Sequence, residues 1–300
     1  MENAPAKICC FRFDVDTHAC VLQGMPRLLD LAESCDARFT FFVNPGRAFN
    51  QVISLRKLLR RLLDKKRAGK KRNGFIPAAA KLGFANSLTA ILLNPCVASA
   101  APPVLRVAGQ DGHEVGLHGG TNHATWERDA HTWSKEELSV ELAAGLVTLQ
   151  ACGAGQPVSF ASPGWNSPAH LAELLPELGL RILADSYDVR ARSPERLGPG
   201  LVTVPTNIAA PGSTAGYLEG MRARGASDAE IRADFRRQLV SKERFAGVYE
   251  HPFYAALHEL PLLADLLRIT VDEGFAIRTI RDAAAGVSPT NRHRTAALAS

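Results

Sequence analysis

Short apolar runs of strand length alternate with helix-length stretches along almost the whole chain, and this rhythm restricts the fold more than any other feature. Ile8-Cys9-Cys10-Phe11-Arg12-Phe13 reads as a buried strand and ends in Asp14-Val15-Asp16-Thr17. A helical stripe of Met25, Leu28, Leu29, Leu31 and Ala32 follows, and then a second strand over 38–43 closed by Asn44-Pro45-Gly46. Further strands are expected at 114–117, 157–161, 180–184, 201–204, 245–250 and 275–277. Helices are expected at 167–178, 229–240 and 257–271, and another opens at Ser134. Ser134 with Glu137, and Ser227 with Glu230, have the spacing of capping boxes. Alternation at this spacing predicts an α/β fold with a parallel sheet, and seven or eight repeats favour a closed or nearly closed barrel over an open sheet.

One segment breaks the rhythm, roughly 47–108, and is expected to be a helical insertion in a barrel domain spanning 1–286, with 287–300 as a polar tail. Ten of the 35 Lys and Arg and one of the 30 acids fall between Arg56 and Arg72, so that stretch carries +9 and the remainder −4. Val52, Leu55, Leu58, Leu59, Leu62 and Leu63 follow a helical stripe, with Arg56, Lys57, Arg60 and Arg61 on the other side. Residues 82–93 carry no charge but are too few to cross a bilayer. A basic helix followed by a short apolar one suits an anionic membrane surface, met through residues 52–93. The plainer alternative is a surface insertion whose leucines cover the barrel. Nucleic acid is the weaker match, because the segment holds no Trp or Tyr and only Phe49, Phe75 and Phe84.

The six cysteines form no C-x-x-C pair, which argues against a thiolate zinc knuckle and for reduced core thiols of a cytosolic protein. Met1-Glu2-Asn3-Ala4-Pro5 has neither a basic nor an apolar leader region, so no secretory signal is expected. Together with the basic segment, this predicts a cytoplasmic protein on the inner face of the membrane.

In a parallel barrel, side chains at the C-terminal ends of the strands converge on one face. The first strand brings Asp14 and Asp16 there, two apart and so on the same side. The strand at 114 runs into His118-Gly119-Gly120-Thr121-Asn122-His123, a later one into Ser162-Pro163-Gly164-Trp165, and the strand at 245 into His251-Pro252. Taken singly, each is more often a cap, a loop or a core plug. Together, carboxylates and imidazoles suit a hydrolytic zinc-type site with an open coordination position. His118 and His123 can share a cation only from a loop, since five helical residues would turn the rings about 140° apart. Asn122 is a candidate hydrogen-bonding neighbour of that site.

These motifs resemble the polysaccharide deacetylase (NodB-homology) superfamily of metal-dependent amide and ester hydrolases. Phe13-Asp14-Val15-Asp16-Thr17 is similar to its first motif, Phe39-Thr40-Phe41-Phe42-Val43 to its second strand, and 112–118 to the approach to its metal histidines. Gly24-Met25-Pro26-Arg27-Leu28-Leu29, together with His123-Ala124 and Trp126, resembles the branch of deformylases acting on formamido-arabinose-phosphoundecaprenol. The resemblance implies an α/β distorted (β/α) barrel of about seven strands and a divalent metal, most often zinc, with Asp16, His118 and His123 as ligands. It implies Asp14 as general base, His251 as general acid and Asp185 as a polar partner near His251. A backbone N–H near Pro163, Gly164 and Trp165 is the candidate oxyanion donor. The chain departs from the pattern at Asn122, where the superfamily has its second histidine, and at Ala161-Ser162, where typical members carry an arginine that the deformylase branch lacks. The activity so implied is removal of a formyl or acetyl group from an aminosugar amide, lipid-linked in that branch and so placed in cell-envelope glycan or lipopolysaccharide biosynthesis. The alternatives are the same chemistry on a small soluble amide, or a non-catalytic membrane-associated binding protein.

Overall fold

The computed structural model describes residues 7–49 and 94–287. The basic and apolar stretches at 52–93 and the tail beyond 287 lie outside the described residues, so those expectations are not addressed by it. Among the described residues nine strands form one sheet: β1 (Lys7–Val15), β2 (Thr40–Val43), β3 (Glu114–His118), β4 (Ser159–Ala161), β5 (Ile182–Leu183), β6 (Glu195–Gly198), β7 (Leu201–Thr203), β8 (Phe245–Glu250) and β9 (Phe275–Ile277). Their order is β6-β7-β5-β4-β3-β2-β1-β8, with β9 on β1. All pairings are parallel except the β6–β7 hairpin.

The sheet curls into a distorted barrel. Beyond β7 the chain reaches β8, where Asn207 and Ile208 both donate to Gly247 O and Gly247 N donates to Asn207 Oδ1 at 2.8 Å. Gly247 is required there, because a Cβ would lie 2.2 Å from Pro205 O. Side-chain alternation along β1 sorts the interior. Cys9, Phe11, Phe13 and Val15 pack outward under the helices, and Cys10 joins a separate inner cluster with Phe42, Ala161, Ile182, Ala184, Val204 and Phe245. Arg12 and Asp14 share the inward phase of Cys10. The outer layer is aromatic, with Phe13 against Phe39 at 5.2 Å and against Phe41 at 5.7 Å between ring centroids.

Both expected capping boxes are present, and Thr279 with Asp282 makes a third. The sequence reading omitted β6, whose residues are largely exposed and carry no apolar alternation. It also omitted the seven-residue helices His123–Asp129 and Tyr217–Ala223, which are too short to show a stripe. Within the described part of the insertion, Pro102–Gln110 is a helix with prolines at its first positions, where no intrahelical N–H is needed. All six cysteines are free.

Candidate metal and hydrolytic site

Asp16, His118 and His123 meet at the C-terminal end of the barrel, one ligand atom from each lying within 4.8 Å of the others. Asp16 Oδ1 is 3.2 Å from His118 Nε2 and 3.3 Å from His123 Nε2. His118 is the last residue of β3, and its Nδ1 lies 2.9 Å from Ala161 O. A carbonyl only accepts, so Nδ1 carries the proton and Nε2 presents its lone pair to the cluster. Asp16 Oδ1 and His123 Nε2 are buried and make no hydrogen bond. Two imidazole nitrogens and a carboxylate, with buried atoms left unbonded at their meeting point, fit a divalent cation. Burial alone would raise the Asp16 carboxyl, but the three imidazoles around it outweigh that and hold it well below the usual carboxylate range.

The five-residue spacing works because the chain changes structure within it. Gly119 takes φ 76°, and a Cβ there would lie 2.6 Å from Pro163 Cγ. Thr121 donates from N and Oγ1 to Glu141 of the helix Lys135–Ala151, at 2.7 and 2.8 Å. Asn122 caps the helix that His123 opens, accepting from Thr125 N at 2.9 Å. Its amide nitrogen donates to Phe49 O at 3.1 Å, and His123 N donates to Arg47 O at 2.9 Å. Both arms of Asn122 therefore hold the loop that presents His123. Asn94 binds the backbone of Phe49 through its own amide, so residues 49 and 94 meet beside this ligand.

Asp14 lies one step deeper and is held by a neighbour that sequence reading did not identify. Arg12 donates from Nε to Oδ1 at 3.2 Å and from Nη2 to Oδ2 at 2.7 Å, and Nη1 bonds Ala184 O. The guanidinium lies 4.5 Å from the Trp165 ring, 5.0 Å from Tyr249 and 5.1 Å from Phe42. Period-2 alternation from Asp14 was the available signal, since it puts residue 12 on the same face. Trp165 follows Gly164 in the left-handed region, at φ 59° and 62°. For a bulky residue this is strained backbone, and it turns the indole onto Arg12. The Trp165 N–H donates to Ser162 O within its own turn, so it is not the free oxyanion donor expected there.

His251 follows β8 and sits on the far side of Asp16, Nε2 to Oδ2 3.3 Å. Its Nδ1 faces Glu219 Oε2 at 3.5 Å. Burial would lower this imidazole, but Asp16 and Glu219 push it well above the ordinary histidine range. Asp185, expected as a polar partner near His251, has its Oδ1 accepting from Ser162 N at 2.6 Å, and Glu219 is the carboxylate that faces Nδ1. Glu219 escaped notice because it lies within the unpredicted helix Tyr217–Ala223.

No protein-family model matches the sequence. A Shewanella sediminis protein named as a 4-deoxy-4-formamido-L-arabinose-phosphoundecaprenol deformylase is 27% identical over 176 residues, 58% of this chain and 55% of the relative. The chain thus matches just over half the length of that curated relative. A Mycobacterium smegmatis protein assigned as a polysaccharide deacetylase superposes with a TM-score of 0.58 at 17% identity, covering 99% of this chain and 98% of the other. A family 4 carbohydrate esterase from Streptomyces lividans gives 0.51 at 12% identity, covering 91% and 92%. The chain is therefore similar in sequence to a protein named as a deformylase and in fold to a polysaccharide deacetylase and a family 4 carbohydrate esterase.

Proposed function

We propose that this chain is a metal-dependent hydrolase that removes an acyl group, formyl or acetyl, from the amide nitrogen of an aminosugar. The observation that carries this reading is the meeting of Asp16, His118 and His123 between an arginine-held carboxylate, Asp14, and a carboxylate-backed imidazole, His251. Asp16, His118 and His123 would hold a divalent cation, zinc being the ordinary match to two imidazoles and a carboxylate, and the bound ion would supply Lewis-acid polarisation of the acyl carbonyl and a more acidic water. Asp14 takes the proton of the attacking water. Arg12 fixes both of its oxygens so that the carboxylate cannot rotate away. His251 is the source of the proton for the departing amine, and Glu219 holds its ring and balances its charge.

The name of the Shewanella relative and the basic segment at 56–72 together support a polyprenyl-phosphate-linked sugar as substrate, met at an anionic membrane surface on the cytoplasmic side. Phe49, held by both Asn94 and Asn122, lies beside the loop that presents His123. No helix among the described residues is long and apolar enough to cross a membrane. The test combines metal analysis of the purified protein with mass spectrometry of formylated and acetylated lipid-linked aminosugars. Asp16→Ala and His118→Ala should lose both bound metal and turnover. Retention of both would remove the site assignment. Co-sedimentation with anionic vesicles, released by high salt, is the expected result for the membrane surface, and no sedimentation would refute it.

A further inference from the structure

Tyr249 has no role in the reading above, yet its hydroxyl lies 2.9 Å from His251 Nε2. It is inward-facing on β8, level with Arg12 in the strand register, and nearly buried. An imidazole nitrogen has a single in-plane direction for giving or taking a proton. The nearest oxygen to Nε2 is the Tyr249 hydroxyl, while Asp16 Oδ2 stands at 3.3 Å. The other nitrogen, Nδ1, is turned to Glu219. The phenol also has little freedom to swing aside. Its ring packs edge-on against Trp165 at 5.2 Å and against His251 at 5.1 Å, and Arg12 lies 5.0 Å from its centroid.

We propose that Tyr249 is a further catalytic residue, through whose hydroxyl the proton of His251 reaches the departing amine. This rests on the hydrolase reading above and deepens it. As the carbon–nitrogen bond breaks, the phenolic O–H gives its proton to the amine nitrogen and an N–H bond forms. The phenolic oxygen takes the Nε2 proton of His251 in the same event. His251 is left neutral, and the tyrosine ends as it began. The net change is one proton moved from imidazole to amine, with no oxidant or co-reactant. A phenol can both accept and donate along one line, which a phenylalanine of the same shape cannot.

The experiment compares two probes that differ in whether the leaving group needs a proton. An amide nitrogen leaves poorly unless protonated, whereas 4-nitrophenolate leaves without help. Tyr249→Phe keeps the ring between Arg12 and Trp165 and removes only the oxygen. With N-formyl- and N-acetylglucosamine as amides and 4-nitrophenyl acetate as ester, the variant should lose about 10²-fold or more of the amide kcat. Metal content, amide KM and ester kcat should stay at the wild-type level. Amide turnover within threefold of wild type overturns the relay, and so does an equal fall on amide and ester, which would mark a structural or oxyanion role instead. If His251→Ala abolishes amide cleavage while Tyr249→Phe does not, the relay falls and the hydrolase reading stands. A wild-type protein that cleaves the ester but neither these amides nor the formylated and acetylated lipid-linked aminosugars removes both.

Discussion

Replacing Arg12 by methionine isolates the buried charge pair beneath the site. The side chain keeps its length and apolar stem but loses two hydrogen bonds to Asp14 and one to Ala184 O. Asp14 is 3% exposed, so water cannot take over. Removing one partner of a buried ion pair costs about 3–5 kcal/mol, mostly because the other charge is left uncompensated. Replacing both partners with apolar residues of similar volume is often close to neutral. Arg12→Met should therefore lose about 3–5 kcal/mol in urea unfolding, and Arg12→Met/Asp14→Leu should recover most of it. The double variant should remain inactive, because the base is gone. A single variant within about 1 kcal/mol of wild type would refute the reasoning, as would a double variant no more stable than the single.

The helix cap is also testable: Asn122→Ala should cost about 1 kcal/mol of stability and weaken metal retention against a chelator. Asn122→Asp keeps the cap and should lose less; equal retention in all three proteins would remove the positioning role. His113 accepts from Phe39 N at 2.9 Å, and burial, reinforced by Arg38, lowers it from 6.5 to about 4. The unfolded chain protonates first as pH falls, so the contribution of His113 is constant above about 6.5 and drops by about 3 kcal/mol between there and pH 4. His113→Gln should flatten that part of the stability–pH curve, and an unchanged slope would exclude His113 as its source.

Strand-end carboxylates and histidines were legible because period-2 alternation and parallel topology fix where they point. Asp14, Asp16, His118 and His251 were placed by these alone, whereas His123 entered through the loop argument, and the roles of all five came from the family resemblance. Their supports were not legible. Arg12 sits inside an apolar run, and its contacts with Asp14, Ala184 O and the surrounding aromatic rings, none of them readable from sequence, explain a buried guanidinium there. Glu219 and Glu141 reach the site from helices distant in sequence, one of them too short to announce itself. The Trp165 conformation depends on tertiary contacts that override what a bulky residue prefers locally. Asn122 looked like a lost ligand because spacing alone does not reveal that a helix begins at the next residue.

The inward and outward phases of β1 tie catalysis and core to one frame. Deleting or inserting a single residue before Arg12 would exchange the two sets, sending the phenylalanines toward the axis and the guanidinium–carboxylate pair under the helices. This strand is therefore closed to length variation. New specificity has to be sought in the loops that follow the strands, where the chain can lengthen without reversing any side chain.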